Sequence, residues 1–306
     1  MIFRYEYPHG VWVDLEQPTE EEMRGVIQEF SIGKQFEKEL LSPTPSPLVA
    51  TDGESKLLVL HFPTHQEEDQ KTNNQEIDFV VGKRFIVTVR YEVIAPLYHL
   101  KKLLEARELL GGENPITTDV LLEILFAHLY TSVRDHIDHA VRNLARVERD
   151  MFDDRERSTI RSISNINRAF LHVEATLANQ EESLSRFLKE FEVLNTFGAT
   201  FRERTERILA ERTQVVRLTS TYRAIAAELR ETNVALLNAR QNEIMKTLTI
   251  VNFIFLPLGL ISWTFTMRTE GMPLVDSPNA FWLVLAIMFG VAVILIAFFI
   301  KRRWLF

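Results

Sequence analysis

Two uncharged apolar runs near the C-terminus constrain this chain more than any other feature. The first, Leu248–Met267, follows a polar, helix-prone lead-in that begins at Gln241; the second, Ala280–Ile300, ends in Lys301-Arg302-Arg303. Each run is long enough to cross the roughly 30 Å of bilayer hydrocarbon as a helix. A short loop, residues 268–279, joins them, so the two spans form a hairpin with both outer ends on one side. Those ends carry Lys246 and the Lys301–Arg303 cluster, whereas the loop carries a single cation, Arg268. The asymmetry predicts that both termini lie in the cytoplasm and the loop outside, in the periplasm. Two buried core helices of a soluble protein would need neither this length nor the basic flank.

The chain has 306 residues, room for one sizeable soluble domain ahead of the hairpin. Its mean hydropathy of −0.04 averages two unlike parts. Residues 246–306 hold five Lys/Arg and two Asp/Glu, a balance of +3; the other 30 basic and 40 acidic residues give the first part −10, which together recover the net −7. A soluble part this acidic is a poor nucleic-acid binder and could concentrate cations near a membrane mouth, although the same sign also serves plain solubility. The absence of cysteine excludes disulfides and thiolate metal sites. The opening residues, MIFRYEYPHG, contain no apolar signal-peptide run, so the N-terminal part is expected to stay inside.

Residues 1–112 read as a small α/β domain. Val11–Leu15 alternates like a strand, and Thr19 with Glu22 forms a capping-box pattern for a helix reaching about Phe30. The segment Ser42–Pro47 stops helix and reads as an irregular connector. Lys56–Phe62, Ile77–Val81 and Phe85–Val89 read as strands, the last two joined by Gly82-Lys83-Arg84 as a hairpin. The polar stretch Glu67–Gln75 reads as a mobile loop, and Leu97–Leu110 as a helix. Residues 113–197 hold no Gly or Pro beyond Pro115 and show three- and four-residue apolar spacing. They predict two long antiparallel helices, about 116–152 capped by Thr118 and 159–196 capped by Ser158.

From Gly198 to Pro257 a second run free of Gly and Pro begins, which predicts a stalk helix over 198–247 that continues into the first span without a break. Its middle carries apolar residues at heptad-like spacing amid charge. A helix this long cannot be held by one small domain, so its apolar stripe implies copies of itself, and two spans are too few to enclose a conduit alone. Within the helix, Asn242, Met245, Thr249, Asn252, Leu256, Gly259, Trp263 and Thr266 recur at three and four residues and therefore share one face. Polar Thr249 and Asn252 do not suit lipid. The face could line a pore, with Met245 and Leu256 as a hydrophobic constriction; the alternative is a helix–helix interface without a conduit. Trp263 could narrow the mouth or anchor at the interface. Glu228 and Glu231 could form acidic rings or ordinary inter-helix ion pairs.

His128, Asp135 and His139 also share a helix face, at spacings of seven and four. His with carboxylate suits zinc or a similar ion, and a solvated, salt-bridged face is the competing reading. No phosphate loop, catalytic triad or metalloprotease helix pattern occurs, so nothing supports catalysis.

The chain resembles the CorA family of two-span metal-ion transporters, which also contains ZntB-type proteins. The residues that carry the resemblance are Asn242–Lys246, Leu248-Thr249-Ile250 and Phe255-Leu256-Pro257-Leu258 in and before the first span. Met272-Pro273 in the loop, the Lys301–Leu305 end, and Trp12, Asp14, Pro18 and Glu21-Glu22 upstream also match. The resemblance implies an α+β homopentameric funnel. It would have an N-terminal cytoplasmic α/β domain, long stalk helices and a central pore lined by the first span (248–267), with the second span at 280–300 and a basic cytoplasmic tail at 301–306. It further implies transport of Mg2+ first and Zn2+ or Co2+ next across the inner (plasma) membrane, with no cofactor beyond the transported cation. The family's Gly-Met-Asn signature, whose glycine carbonyl and asparagine side chain hold a hydrated cation, falls here on Thr266-Met267-Arg268. Thr266 still offers oxygen, but Arg268 offers only donors and fixed positive charge. Five arginines about 8 Å from an axis would cost a divalent ion roughly 5 kcal/mol even at water-like dielectric. Glu270 and Asp276 leave the loop at −1 overall, which can offset Arg268, and the arginine is long enough to reach outward to headgroups. The outer mouth is therefore expected at Thr266, Met267, Arg268 and Glu270. The rival expectations are a non-conducting or regulatory assembly, or an anion or weakly selective pore.

Overall fold

The computed structural model describes residues 1–65, 72–109, 116–153, 156–267 and 279–302. They divide into two compact units, Met1–Arg230 and Glu231–Phe306, with the boundary inside one helix.

The first unit is built on a six-stranded sheet. Its strands are β1 (Ile2–Tyr7), β2 (Gly10–Glu16), β3 (Leu48–Asp52), β4 (Ser55–His65), β5 (Thr72–Gly82) and β6 (Phe85–Arg90), in the spatial order β1-β2-β6-β5-β4-β3. All neighbours are antiparallel except β2 and β6, which run parallel with Val13 opposite Val87. Alternation sorts the side chains onto two faces. On one, Val13, Leu15, Val59, Val80, Val87 and Val89 pack against α1 (Glu20–Glu29) and α2 (Lys34–Leu40) through Met23, Val26, Ile27 and Phe36. On the other, Phe79 stacks on Phe126, and Phe62 lies near Tyr130, both from α4 (Thr118–Phe152). α5 (Glu156–Val193) returns antiparallel beside α4 and covers β4, while α3 (Ala95–Leu109) packs on α4.

Local chemistry explains the starts and stops. The Thr19/Glu22 capping box forms in full: the Glu22 amide donates to the Thr19 hydroxyl and the Thr19 amide to the Glu22 carboxylate. The Gly82↔Phe85 pair closes the β5–β6 hairpin over Lys83-Arg84. Gly53 turns β3 into β4 at φ 55°, where a Cβ would strain the backbone.

Several expectations need correction. Thr72–Gln75 is strand, not loop: it extends β5 opposite Phe62–His65, and ladder bonds hold it despite its polar composition. Residues 67–71 of the expected loop lie outside the described residues. β1, β3 and α2 carry too short a pattern to be read from sequence. The N-cap of α4 is Thr117 rather than Thr118, whose hydroxyl instead donates to the Lys83 carbonyl and meets the Tyr7 hydroxyl. Ser158 lies inside α5, which already begins at Glu156, rather than before its first turn.

The deepest polar group in this unit is an ion network on the α4-facing side. Arg90 and Asp14, both without solvent exposure, pair at 3.1 Å; Arg90 also pairs with Glu16, and Lys101 with Asp14. Trp12 donates to the Thr88 hydroxyl at 3.0 Å, and that hydroxyl donates to Asp14 at 2.6 Å. A buried charge set of this kind is stable only when every member is paired.

α6 is a single helix of 66 residues, Phe201–Thr266, and α7 spans Ala280–Lys301. Within the first unit, α6 is tied to α4 and α5 by charge. Arg204 reaches Asp119 and Glu123, Arg134 reaches Glu211, Arg223 reaches Glu174, and Arg212 donates to the Leu177 carbonyl.

Candidate functional site: the apolar helix pair

In the second unit the two apolar helices are long and apolar enough to cross a membrane, and only 6% of either apolar window is buried. Pro257 lies within α6 without ending it. Its ring removes one amide, and in a spanning helix local adjustment and neighbouring groups can satisfy the freed carbonyl.

The two helices meet on a defined side of α6. Phe253 and Phe299 approach edge to face at 6.3 Å between centroids, Ile250 and Phe299 are buried, and Leu258 shares a groove with Trp282, Leu285 and Phe289. Positions 250, 254, 257, 258, 261 and 265 are buried or half-buried, marking the side that α7 covers. A displacement of two residues turns a helix by about 200°. Asn252, Leu256 and Trp263 are each two residues from a member of the covered stripe, and they lie exposed on the opposite side with Thr266. Thr249 and Gly259 are half-buried on the same face; Asn242 and Met245 continue it, exposed, in the lead-in. A Cβ on Gly259 would lie 4.0 Å from the Trp263 ring, so the indole rests along this face.

The chemistry of the face is that of neutral oxygen and hydrocarbon. Thr249 donates its hydroxyl to the Met245 carbonyl, and Thr266 donates to Ser262, each at 2.7 Å. With their protons committed to backbone, these hydroxyls present only lone pairs outward. Met267 is exposed at the end of the helix. Arg268, Glu270 and Asp276 lie outside the described residues, as do Arg303, Trp304 and Leu305. Farther back, Glu228 and Glu231 are exposed on α6.

The histidine candidate does not assemble. Among the described residues no group of three His, Asp or Glu side chains is placed to hold a metal ion. His128 and Asp135 are seven residues apart on one straight helix, about 10 Å along its axis, too far to share an ion. His128 is instead desolvated, its pKa lowered first by burial and then by neighbouring His99; His139 meets Asn143.

Comparison with known proteins decides the lineage: residues 9–302 match the family described as CorA-like Mg2+ transporter protein. The chain belongs to the CorA family. That family is one of membrane ion transporters, not of enzymes, and the two C-terminal apolar helices fit it. A cobalt/magnesium transport protein CorA from Methanocaldococcus jannaschii is 21% identical over 299 residues, covering 96% of this chain and 91% of that protein. The corresponding protein of Thermotoga maritima is 26% identical over 189 residues, covering 61% of this chain and 50% of its own length. Among solved structures, the complete CorA magnesium transporter from Methanocaldococcus jannaschii superposes with a TM-score of 0.81 at 22% identity, covering 99% of this chain and 93% of that one. The full-length CmaX protein gives 0.64 at 20% identity, covering 98% and 90%. At these identities the superpositions establish a shared CorA fold: an N-terminal α/β part, long helices and two C-terminal apolar helices.

Proposed function

We propose that this CorA-family chain is a homopentameric conduit for divalent cations, Mg2+ first and Zn2+ or Co2+ next, in the inner membrane with both termini cytoplasmic. The observation that carries the reading is the division of α6 into two sides. One is covered by α7, while the other presents Thr249, Asn252, Leu256, Gly259, Trp263 and Thr266 away from it. A polar face turned from the hairpin partner needs other copies of α6, and copies arranged about an axis leave a passage lined by it. Asn242 and Met245 extend that lining toward the cytoplasm. The lining within the span contains no carboxylate. It would act on an ion through amide, hydroxyl and carbonyl oxygens, which suits a cation that keeps much of its water, as Mg2+ does. Met245 and Leu256, about 16 Å apart along the helix, would each supply an apolar constriction that excludes water when closed.

The outer mouth departs from the family pattern. Thr266 contributes oxygen, Arg268 adds positive charge, and Glu270 and Asp276 compensate from the same loop. The test is ion flux into liposomes carrying the purified protein, with Mg2+, Zn2+, Co2+ and chloride compared, and Arg268→Asn measured alongside. Divalent flux that rises in Arg268→Asn supports the proposal. Chloride flux lost in Arg268→Asn would replace it with an anion pore, and no flux in either protein would replace it with a non-conducting assembly.

A further inference from the structure

The transport reading gives Trp263 a place on the lining but no task. Successive residues of an α-helix turn by about 100°, so Trp263, eleven residues after Asn252, lies within about 20° of it around the helix axis. Leu256 is seven residues away, which again leaves a difference of about 20°. Trp263 is therefore centred on the face turned from α7, where it is 69% exposed. A tryptophan near the end of a span commonly anchors among headgroups. At this azimuth that role would also turn Asn252 toward the acyl chains, where an amide is costly.

The turn beneath the indole is bare. Side chains on a helix lean back toward its N-terminus, so that of Trp263 falls over the turn that carries Gly259. A Cβ on Gly259 would lie 4.0 Å from indole Cζ2, ordinary van der Waals contact, so a side chain longer than alanine would enter the space in which the ring rests. From the cytoplasmic end outward the stripe carries the Asn252 amide, the Leu256 hydrocarbon, Gly259, the Trp263 ring and Thr266. The Thr266 hydroxyl donates to the Ser262 carbonyl at 2.7 Å and turns its lone pairs outward. The two apolar levels, Leu256 and Trp263, are about 10 Å apart along the axis, with only Gly259 between them in the stripe. An oxygen-bearing level thus lies on either side of a dry, partly empty one.

We propose that Trp263 is an outer gate of the conduit: an aromatic collar that is open while the indole lies back on the Gly259 turn and shut when the indole leaves that seat for the axis. The inference rests on the conduit reading above, which makes this face a lining, and adds which group closes the passage at its outer end. Copies of α6 about an axis bring their Trp263 rings to one level, and an apolar ring narrow enough to shed its water stops ions without binding them. Gly259 sets the balance between the two positions, because any larger residue there competes with the indole for one space. Leu256 and Trp263 stand in series, so each limits the same current.

The test combines Mg2+ flux into liposomes carrying the full-length protein with tryptophan quenching, which does not depend on conduction. Trp263→Ala should raise flux, and Trp263→Ala with Leu256→Ala should exceed either alone. Gly259→Val should lower flux several-fold by driving the indole from its seat, and should lose that effect in a Trp263→Ala protein. Unchanged flux in Trp263→Ala, or a Gly259→Val effect that survives loss of the indole, would overturn the gate and leave the conduit standing; no flux in any form would end both. The sequence has four tryptophans, at 12, 263, 282 and 304, and Trp12 is fully buried. In a Trp282→Phe, Trp304→Phe protein the emission open to quenchers is therefore that of Trp263. Aqueous acrylamide should quench it, and phospholipid brominated along its acyl chains should not. Quenching by the brominated lipid would make Trp263 an anchor, and quenching by neither would make it a helix–helix contact; either result overturns the gate.

Discussion

Arg90 and Asn252 are both polar residues in apolar surroundings, and the molecule treats them in opposite ways. Arg90 has no solvent exposure and is closed by Asp14 and Glu16 of its own chain. Asn252 is exposed, on a helix whose apolar window is 6% buried. In the first unit the chain satisfies itself, because sheet, α1–α2 and α3–α5 bury both faces and pair the charges between them. In the second it leaves exposed an apolar surface long enough to cross a membrane. The difference teaches where each kind of substitution will be felt: stability in the first unit, conduction in the second.

The largest stability effects should therefore fall on the sheet. Arg90→Ala leaves buried Asp14 with Lys101 as its one remaining cation beside the Thr88 hydroxyl among the described residues, and about 3–5 kcal/mol of unfolding free energy should be lost. Phe126→Ala removes a ring stacked 5.1 Å from Phe79 and 6.3 Å from Tyr130, and should also cost about 3–5 kcal/mol. Denaturant titration of the protein in detergent measures both. A loss below about 1 kcal/mol for either would mean that this unit is not closed by its own packing.

A mid-sized effect tests whether local signals act as the sequence implies. Thr19→Ala deletes the hydroxyl that accepts from the Glu22 amide and should cost about 1 kcal/mol, with Thr19→Ser restoring most of it. This cap was legible because its chemistry is local: a hydroxyl and a carboxylate three residues apart. So were the spans, because twenty uncharged residues have few alternatives. Strand β3 and the far end of β5 were not legible. Leu48–Asp52 is too short to show alternation, and Thr72–Gln75 is polar and holds its place through the ladder to β4. The cap of α4 was misplaced by one residue because Thr117 and Thr118 are equal by composition, and only the folded chain shows Thr118 occupied by Lys83 and Tyr7. The histidine group failed for a geometric reason: a shared face does not bring together residues seven apart along the axis. The buried pair of His61 and Glu76, 3.5 Å apart, was not legible because both are ordinary strand polar residues until register sets them opposite one another. The polar face of α6 could be read from spacing, but its relation to α7 could not, since that depends on which side the hairpin closes.

The smallest stability effect is expected where the conduction effect should be clearest. Leu256 is 65% exposed on the side of α6 turned from α7, so Leu256→Ala removes little packing within the chain. Unfolding free energy should change by no more than about 0.5 kcal/mol. If Leu256 forms the apolar constriction, shortening it widens and wets the passage, and divalent flux into liposomes should rise. Ile254 is the matched control: two residues away, half-buried on the covered side. Ile254→Ala should weaken the hairpin while leaving ion selectivity unchanged. The pair separates the two sides of one helix by readout, flux against stability. If Ile254→Ala altered selectivity while Leu256→Ala left flux untouched, the faces would be reversed, and the Asn252 side would belong to a helix–helix contact rather than to a passage.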